Sequence, residues 1–140
     1  MREPFRVAPL VLAALAAGWV GCAKPPRIEL GAGEAHLSSM FGGACSVFVQ
    51  IRNAGGRDAL VGARVDLPGA IAEVHDVRDG RMVRAERVTV PANGVLELKP
   101  GSLHIMVFKL PRDARAGTEL TLRLHFEKSG EKSTSLRIQG

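Results

Sequence analysis

The sequence predicts an all-β domain, a Greek-key β-sandwich, and three observations lead there. Short runs rich in Val, Ile, Leu, Phe and Thr recur roughly every ten residues from Ser46 to Gln139. Turn-forming residues separate them: Asn53-Ala54-Gly55-Gly56, Leu67-Pro68-Gly69, Asp79-Gly80, Pro91-Ala92-Asn93-Gly94, Pro100-Gly101 and Lys128-Ser129-Gly130-Glu131. No stretch beyond the N-terminal segment carries a convincing helical pattern of apolar residues. Strands at this spacing without helices build a sandwich or a Greek-key barrel.

The first segment is of another kind. Arg2 and Arg6 precede an almost wholly apolar run from Val7 to Val20, followed by Gly21-Cys22-Ala23. Residues 1–22 therefore read as an export signal, too short for a comfortable membrane span. Two cleavage sites fit: one before Cys22, whose thiol is then lipidated, and one after Ala23. Residues 23–33 read as a linker in which Lys24-Pro25-Pro26-Arg27 is a stiff, solvated spacer. Ile28-Glu29-Leu30 fits a short edge strand, and the glycine-rich stretch from Gly31 to Gly43 reads as irregular. His36 and Met40 fall in it and are taken as loop residues within possible reach of a metal.

Residues 34–140 form one domain, with enough chain to bury a core unaided. Strands are expected over Cys45 to Arg52, Asp58 to Asp66, Ala70 to Val77, Met82 to Val90, Val95 to Lys99, Leu103 to Leu110, Glu119 to Glu127 and Lys132 to Gln139. Thr121 to Phe126 alternates cleanly, placing Leu122, Leu124 and Phe126 inward and His125 outward. Asp79-Gly80 is a strong two-residue hairpin signal. It pairs Arg78 with Arg81, Val77 with Met82, Asp76 with Val83 and His75 with Arg84.

The 140-residue chain has a formal charge of +5, and losing Arg2, Glu3 and Arg6 with the signal leaves +4, well scattered. Without a basic block, and with no Trp or Tyr beyond Trp19, nucleic-acid binding is excluded as a working idea. With Cys22 lipidated, Cys45 is the single remaining thiol, which cannot close an internal disulfide and reads as a small buried hydrophobe.

The chemistry is expected at two His/Met couples. His104 and Met106 share one face of a strand, roughly 6.5–7 Å apart along it, while Leu103, Ile105 and Val107 take the other. His75 and Met82 share a face across the hairpin, on a diagonal of roughly 7–8 Å. Either couple alone is also what core packing looks like. Met82 is followed by 21 residues and then His104-x-Met106.

This spacing, with His75 upstream, resembles the PCuAC family of periplasmic copper chaperones. The likeness extends to Phe48-Val49-Gln50-Ile51-Arg52-Asn53-Ala54-Gly55, to Ala72-Glu73-Val74-His75 and, most specifically, to Val90 through Met106. It implies a cupredoxin-like fold with His75, Met82, His104 and Met106 as copper ligands. It also implies delivery to the copper centre of a respiratory oxidase, directly or with another copper chaperone. Two departures stand out: the hairpin is shorter than the family's, and Arg84 faces His75, so its guanidinium must swing aside for a cation to enter.

The donor chemistry agrees independently. Two thioethers and two neutral imidazoles make a soft, uncharged set suited to Cu(I), whereas zinc favours thiolate or carboxylate and Mg²⁺ or Ca²⁺ favours oxygen. No catalytic Ser/His/Asp order, paired carboxylate or phosphate loop is present, so the protein is expected not to be an enzyme. The expectation is a periplasmic, lipid-anchored Cu(I) chaperone. The alternative is a lipoprotein adhesion or assembly module with a degraded or absent metal site.

Overall fold

A computed structural model describes residues 23–140, so the expected signal 1–22 and Cys22 lie outside the described residues. The strands are β1 (Ile28–Leu37), β2 (Cys45–Asn53), β3 (Asp58–Val65), β4 (Ile71–Arg78), β5 (Arg81–Arg84), β6 (Val88–Val90), β7 (Gly94–Glu97), β8 (His104–Phe108), β9 (Glu119–Phe126) and β10 (Gly130–Gln139). They hydrogen-bond in the order β5-β4-β8-β2-β1-β10-β9-β3-β6, with β7 also on β2. All ladders are antiparallel except β1 with β10, which meet in parallel at Ala35–Ile138 and His36–Gln139. At that seam the sheet folds over, giving one layer of β5, β4, β8, β2, β7 and β1 and another of β10, β9, β3 and β6.

The core lies between the layers. Val47, Val49 and Ile51 of β2, Val74 of β4 and Ile105 and Val107 of β8 join Leu120, Leu122, Leu124 and Phe126 of β9 in one cluster. Strict alternation builds it: β9 buries every second residue from Leu120 to Phe126 and leaves His125 exposed, as predicted. Cys45 opens β2 and belongs to the same core.

Three local expectations give way. β1 is a ten-residue strand with neighbours on both sides, so 28–33 belongs to the sheet rather than to a linker, and His36 is a strand residue. The glycines that suggest a loop serve close approach: a Cβ on Gly33 would lie 2.8 Å from Leu136 Cδ2, and the register slips between Leu30 and Gly33. Lys24 to Arg27 is also no free spacer. The Pro25 carbonyl accepts from Gly56 N at 3.2 Å and the Arg27 carbonyl from Ala54 N at 3.0 Å. Side chains on Gly55 or Gly56 would strike this segment's backbone.

The expected strand from Met82 to Val90 is two strands in different layers, β5 on β4 and β6 on β3. The reason is parity. Ala85 is odd-numbered while Val88 and Val90 are even-numbered, so no single unbroken strand can turn all three to the core. The chain crosses between layers at Ala85-Glu86-Arg87, with Ala85 N donating to the Val74 carbonyl at 2.8 Å.

Candidate metal centre

The outer face of the first layer carries the expected donors. Asp79 and Gly80 both have positive φ, 50° and 73°, the conformation of a tight hairpin turn. The β4–β5 register is the one the turn predicts, with His75 opposite Arg84 and Val77 opposite Met82. On its other side β4 pairs with β8 so that His75 faces His104 and Glu73 faces Met106. Met106 in turn faces Ser46 of β2.

These registers place the two imidazoles side by side, ring centroids 6.0 Å apart and inclined at 64°. Ile105 and Val107 take the core side of β8, leaving His104 and Met106 on the outer face. That face is nevertheless largely shielded: His75 is 9% exposed, His104 6% and Met106 1%. Phe48 lies 6.3 Å from the His104 ring and Phe108 5.7 Å from the His75 ring, centroid to centroid.

Hydrogen bonds engage one nitrogen of each ring. His104 Nδ1 lies 2.8 Å from the Ser102 carbonyl, and His75 Nε2 lies 2.9 Å from Glu73 Oε2. His75 Nδ1 is buried without any partner, the one such side-chain nitrogen or oxygen found among the described residues. A buried polar atom left bare costs on the order of 1–3 kcal/mol, which asks for an explanation. The Ser46 hydroxyl donates to Met106 Sδ at 3.3 Å. A thioether sulfur has two lone pairs, so this bond leaves one for a metal.

The four expected ligands do not form one compact cluster at the backbone. His75, His104 and Met106 occupy adjoining positions, while Met82 lies one pair further along β4, on the far side of His75 from Met106. Met82 is 41% exposed, a long side chain free to bend. Arg84 stands opposite His75, with Nη1 3.7 Å from Glu73 Oε1 and its side chain 64% exposed. His36 lies one strand further across the same face, opposite Ser46; its Nε2 lies 3.1 Å from Glu34 Oε2, and its ring lies against Phe48 at 6.1 Å. Met40 is exposed on the loop after β1. Burial pushes the Cys45 thiol up to about 11, and Cys45 packs into the core between the layers rather than onto this outer face.

Glu73, Ser46 and the Ser102 carbonyl, which hydrogen-bond His75, Met106 and His104, are neighbours that sequence reasoning missed. Glu73 precedes His75 by two, so alternation alone puts both on one face. Among the described residues no three His, Cys, Asp or Glu side chains gather as a metal site. What the face offers is two imidazoles with thioethers beside them.

This is a cupredoxin-like β-sandwich of the PCuAC type. The chain is similar to the apo PCuAC domain from PmoF1, with a TM-score of 0.68 and 23% identity over 81% of this chain and 93% of that one. It is similar to the copper-bound PCuAC domain from PmoF2, with a TM-score of 0.64 and 16% identity over 81% and 92%. Cu(I)-DR1885 from Deinococcus radiodurans matches with a TM-score of 0.64 and 20% identity over 91% and 85%. No curated protein matches the sequence. The family model described as "Putative lipoprotein LpqE-like" matches residues 23–138, so the chain belongs to the LpqE-like family.

Proposed function

We propose that the protein is an exported copper carrier that holds one Cu(I) through His75, Met82, His104 and Met106 and passes it on. Copper is the cargo here, and the protein performs transfer rather than catalysis. The observation that carries the reading is the buried imidazole pair, with a bare Nδ1 on His75 and a thioether in the next position of the same face. A soft, neutral donor set favours Cu(I) over harder ions. Met82, the most exposed of the four, is the ligand an acceptor displaces first, which lets a mostly buried site release its ion.

The family description supports an anchored protein, with residues 1–22 as signal and Cys22 as the lipidated residue of a periplasmic lipoprotein. Residues 34–140 then carry the cargo. The PCuAC likeness supports the copper centre of a respiratory oxidase as destination, reached directly or through another copper chaperone.

Anaerobic titration with Cu(I) against a chromogenic chelator tests the reading. One equivalent taken up per chain is the expected result. No stoichiometric uptake overturns it and leaves the adhesion or assembly module.

A further inference from the structure

The two imidazoles are held in opposite senses. At His104, Nδ1 lies 2.8 Å from the Ser102 carbonyl. A carbonyl only accepts, so the neutral ring carries its proton on Nδ1 and its lone pair on Nε2. At His75 the acceptor is a side chain, Oε2 of Glu73, 2.9 Å from Nε2. An ionised carboxylate also only accepts, so here the proton sits on Nε2 and the lone pair on Nδ1, the buried atom without a partner.

We propose that Glu73 is a positioning residue whose carboxylate locks His75 as the Nε2–H tautomer, making Nδ1 of His75 and Nε2 of His104 the nitrogens that take Cu(I). The inference rests on the copper reading above. Glu73 is well placed for the task. It lies two residues from His75 on the same face and pairs across the ladder with Met106. Its second oxygen lies 3.7 Å from Arg84 Nη1. A carboxylate behind a ligand imidazole fixes the ring and raises the basicity of the opposite nitrogen. Because the same carboxylate engages Arg84, the cation opposite His75 is held by an anion rather than left facing the donors. Arg84 at this position is thereby reconciled with binding of a positive ion.

The test begins on the metal-free protein labelled with ¹⁵N-histidine, using long-range ¹H–¹⁵N correlation in mildly alkaline buffer. His75 should show the Nε2–H pattern and His104 the Nδ1–H pattern. In Glu73→Leu, His75 should drift to a mixture of tautomers and Cu(I) affinity should fall about tenfold, with the backbone spectrum otherwise retained. Glu73→Gln, whose amide oxygen still accepts from Nε2–H, should keep the tautomer and bind within about threefold of wild type.

A wild-type His75 protonated on Nδ1 overturns the role given to Glu73. So does a Glu73→Leu protein with an unchanged tautomer or unchanged affinity. Absence of Cu(I) uptake by the wild-type protein overturns the copper reading instead, and the metal-free spectra still judge what Glu73 does to His75.

Discussion

The outer faces of the two layers make an instructive pair. On the second layer the side chains are charged and answer one another. Arg64 Nη2 donates to Glu131 Oε2 at 2.6 Å, Arg123 reaches Asp66 through Nε at 3.0 Å and Nη2 at 2.8 Å, and Arg123 Nη1 donates to Glu131 Oε1 at 3.2 Å. The hydrogen bond from Arg123 holds the Asp66 carboxyl below the usual range, and the bond from Arg64 does the same for Glu131. At the start of β3 Asp58 is buried yet satisfied, accepting from Ala59 N, Lys128 N, Ser129 N and the Ser129 hydroxyl. On the outer face of the first layer the polar side chains at similar depth are two neutral-capable rings, and one ring nitrogen is bare. A face whose polar groups satisfy each other has nothing left for a ligand, whereas an unmatched buried donor is available to one.

The sharpest way to break this contrast is to remove a donor. His104→Ala should weaken Cu(I) binding about a hundredfold or more, near 2.8 kcal/mol at 1.4 kcal/mol per tenfold, while far-UV circular dichroism stays unchanged. Competition against a chromogenic chelator reads the affinity. Loss of less than about fivefold would take His104 out of the site.

Asp58 provides the matching cut in the second layer. Asp58→Ala strands the Lys128 and Ser129 donors and should cost about 2 kcal/mol of stability in urea unfolding, with Cu(I) affinity untouched. Burial pushes the Asp58 carboxyl up, but the Ser129 hydroxyl and the amides of Lys128, Ala59 and Ser129 outweigh it and hold it below the ordinary aspartate value. A depressed carboxyl stabilises the fold above its unfolded value of about 3.9, and that stability is lost as pH falls through the folded value. Wild type should therefore lose more stability than Asp58→Asn between about pH 4 and pH 2. Parallel acid curves for the two proteins would contradict the assignment.

The same contrast explains what could be read from the residues alone. Asp79-Gly80 specifies the β4–β5 register because a two-residue turn with positive φ at both positions leaves one pairing, and that pairing puts His75 and Met82 on one face. The alternation from Thr121 to Phe126 likewise settles which side of β9 is core. Gly31 and Gly33 mislead because glycine serves two purposes, turning and close approach, and only the neighbour across the space, Gln50 for Gly31 and Leu136 for Gly33, decides between them. The split into β5 and β6 is legible in the parity of Ala85, Val88 and Val90 but is masked by continuous β-favouring composition. Glu73 shares the face of His75 by simple counting, yet the bond to Nε2 depends on side-chain rotamers, which periodicity does not encode.

A smaller effect belongs to Met106. Met106→Leu keeps volume and apolarity while removing sulfur, so stability should change by less than about 1.5 kcal/mol. The Ser46 hydroxyl loses only a weak sulfur acceptor. Cu(I) affinity should nevertheless fall at least tenfold, about 1.4 kcal/mol. Equal affinity in the variant would make Met106 a packing residue.

The smallest expected effect comes from the charged face. Arg123 ties Asp66 to Glu131 across the second layer, but in a solvated setting where each carboxylate is rehydrated once the guanidinium is gone. Arg123→Ala should shift the thermal midpoint little at physiological salt and leave Cu(I) affinity unchanged, because the core separates this face from the imidazoles. A change in affinity beyond about threefold would mean that the two outer faces are coupled through the sandwich, a coupling on the order of 0.65 kcal/mol. Independence of the two faces would then fail, and the metal centre would have to be described as a property of both layers.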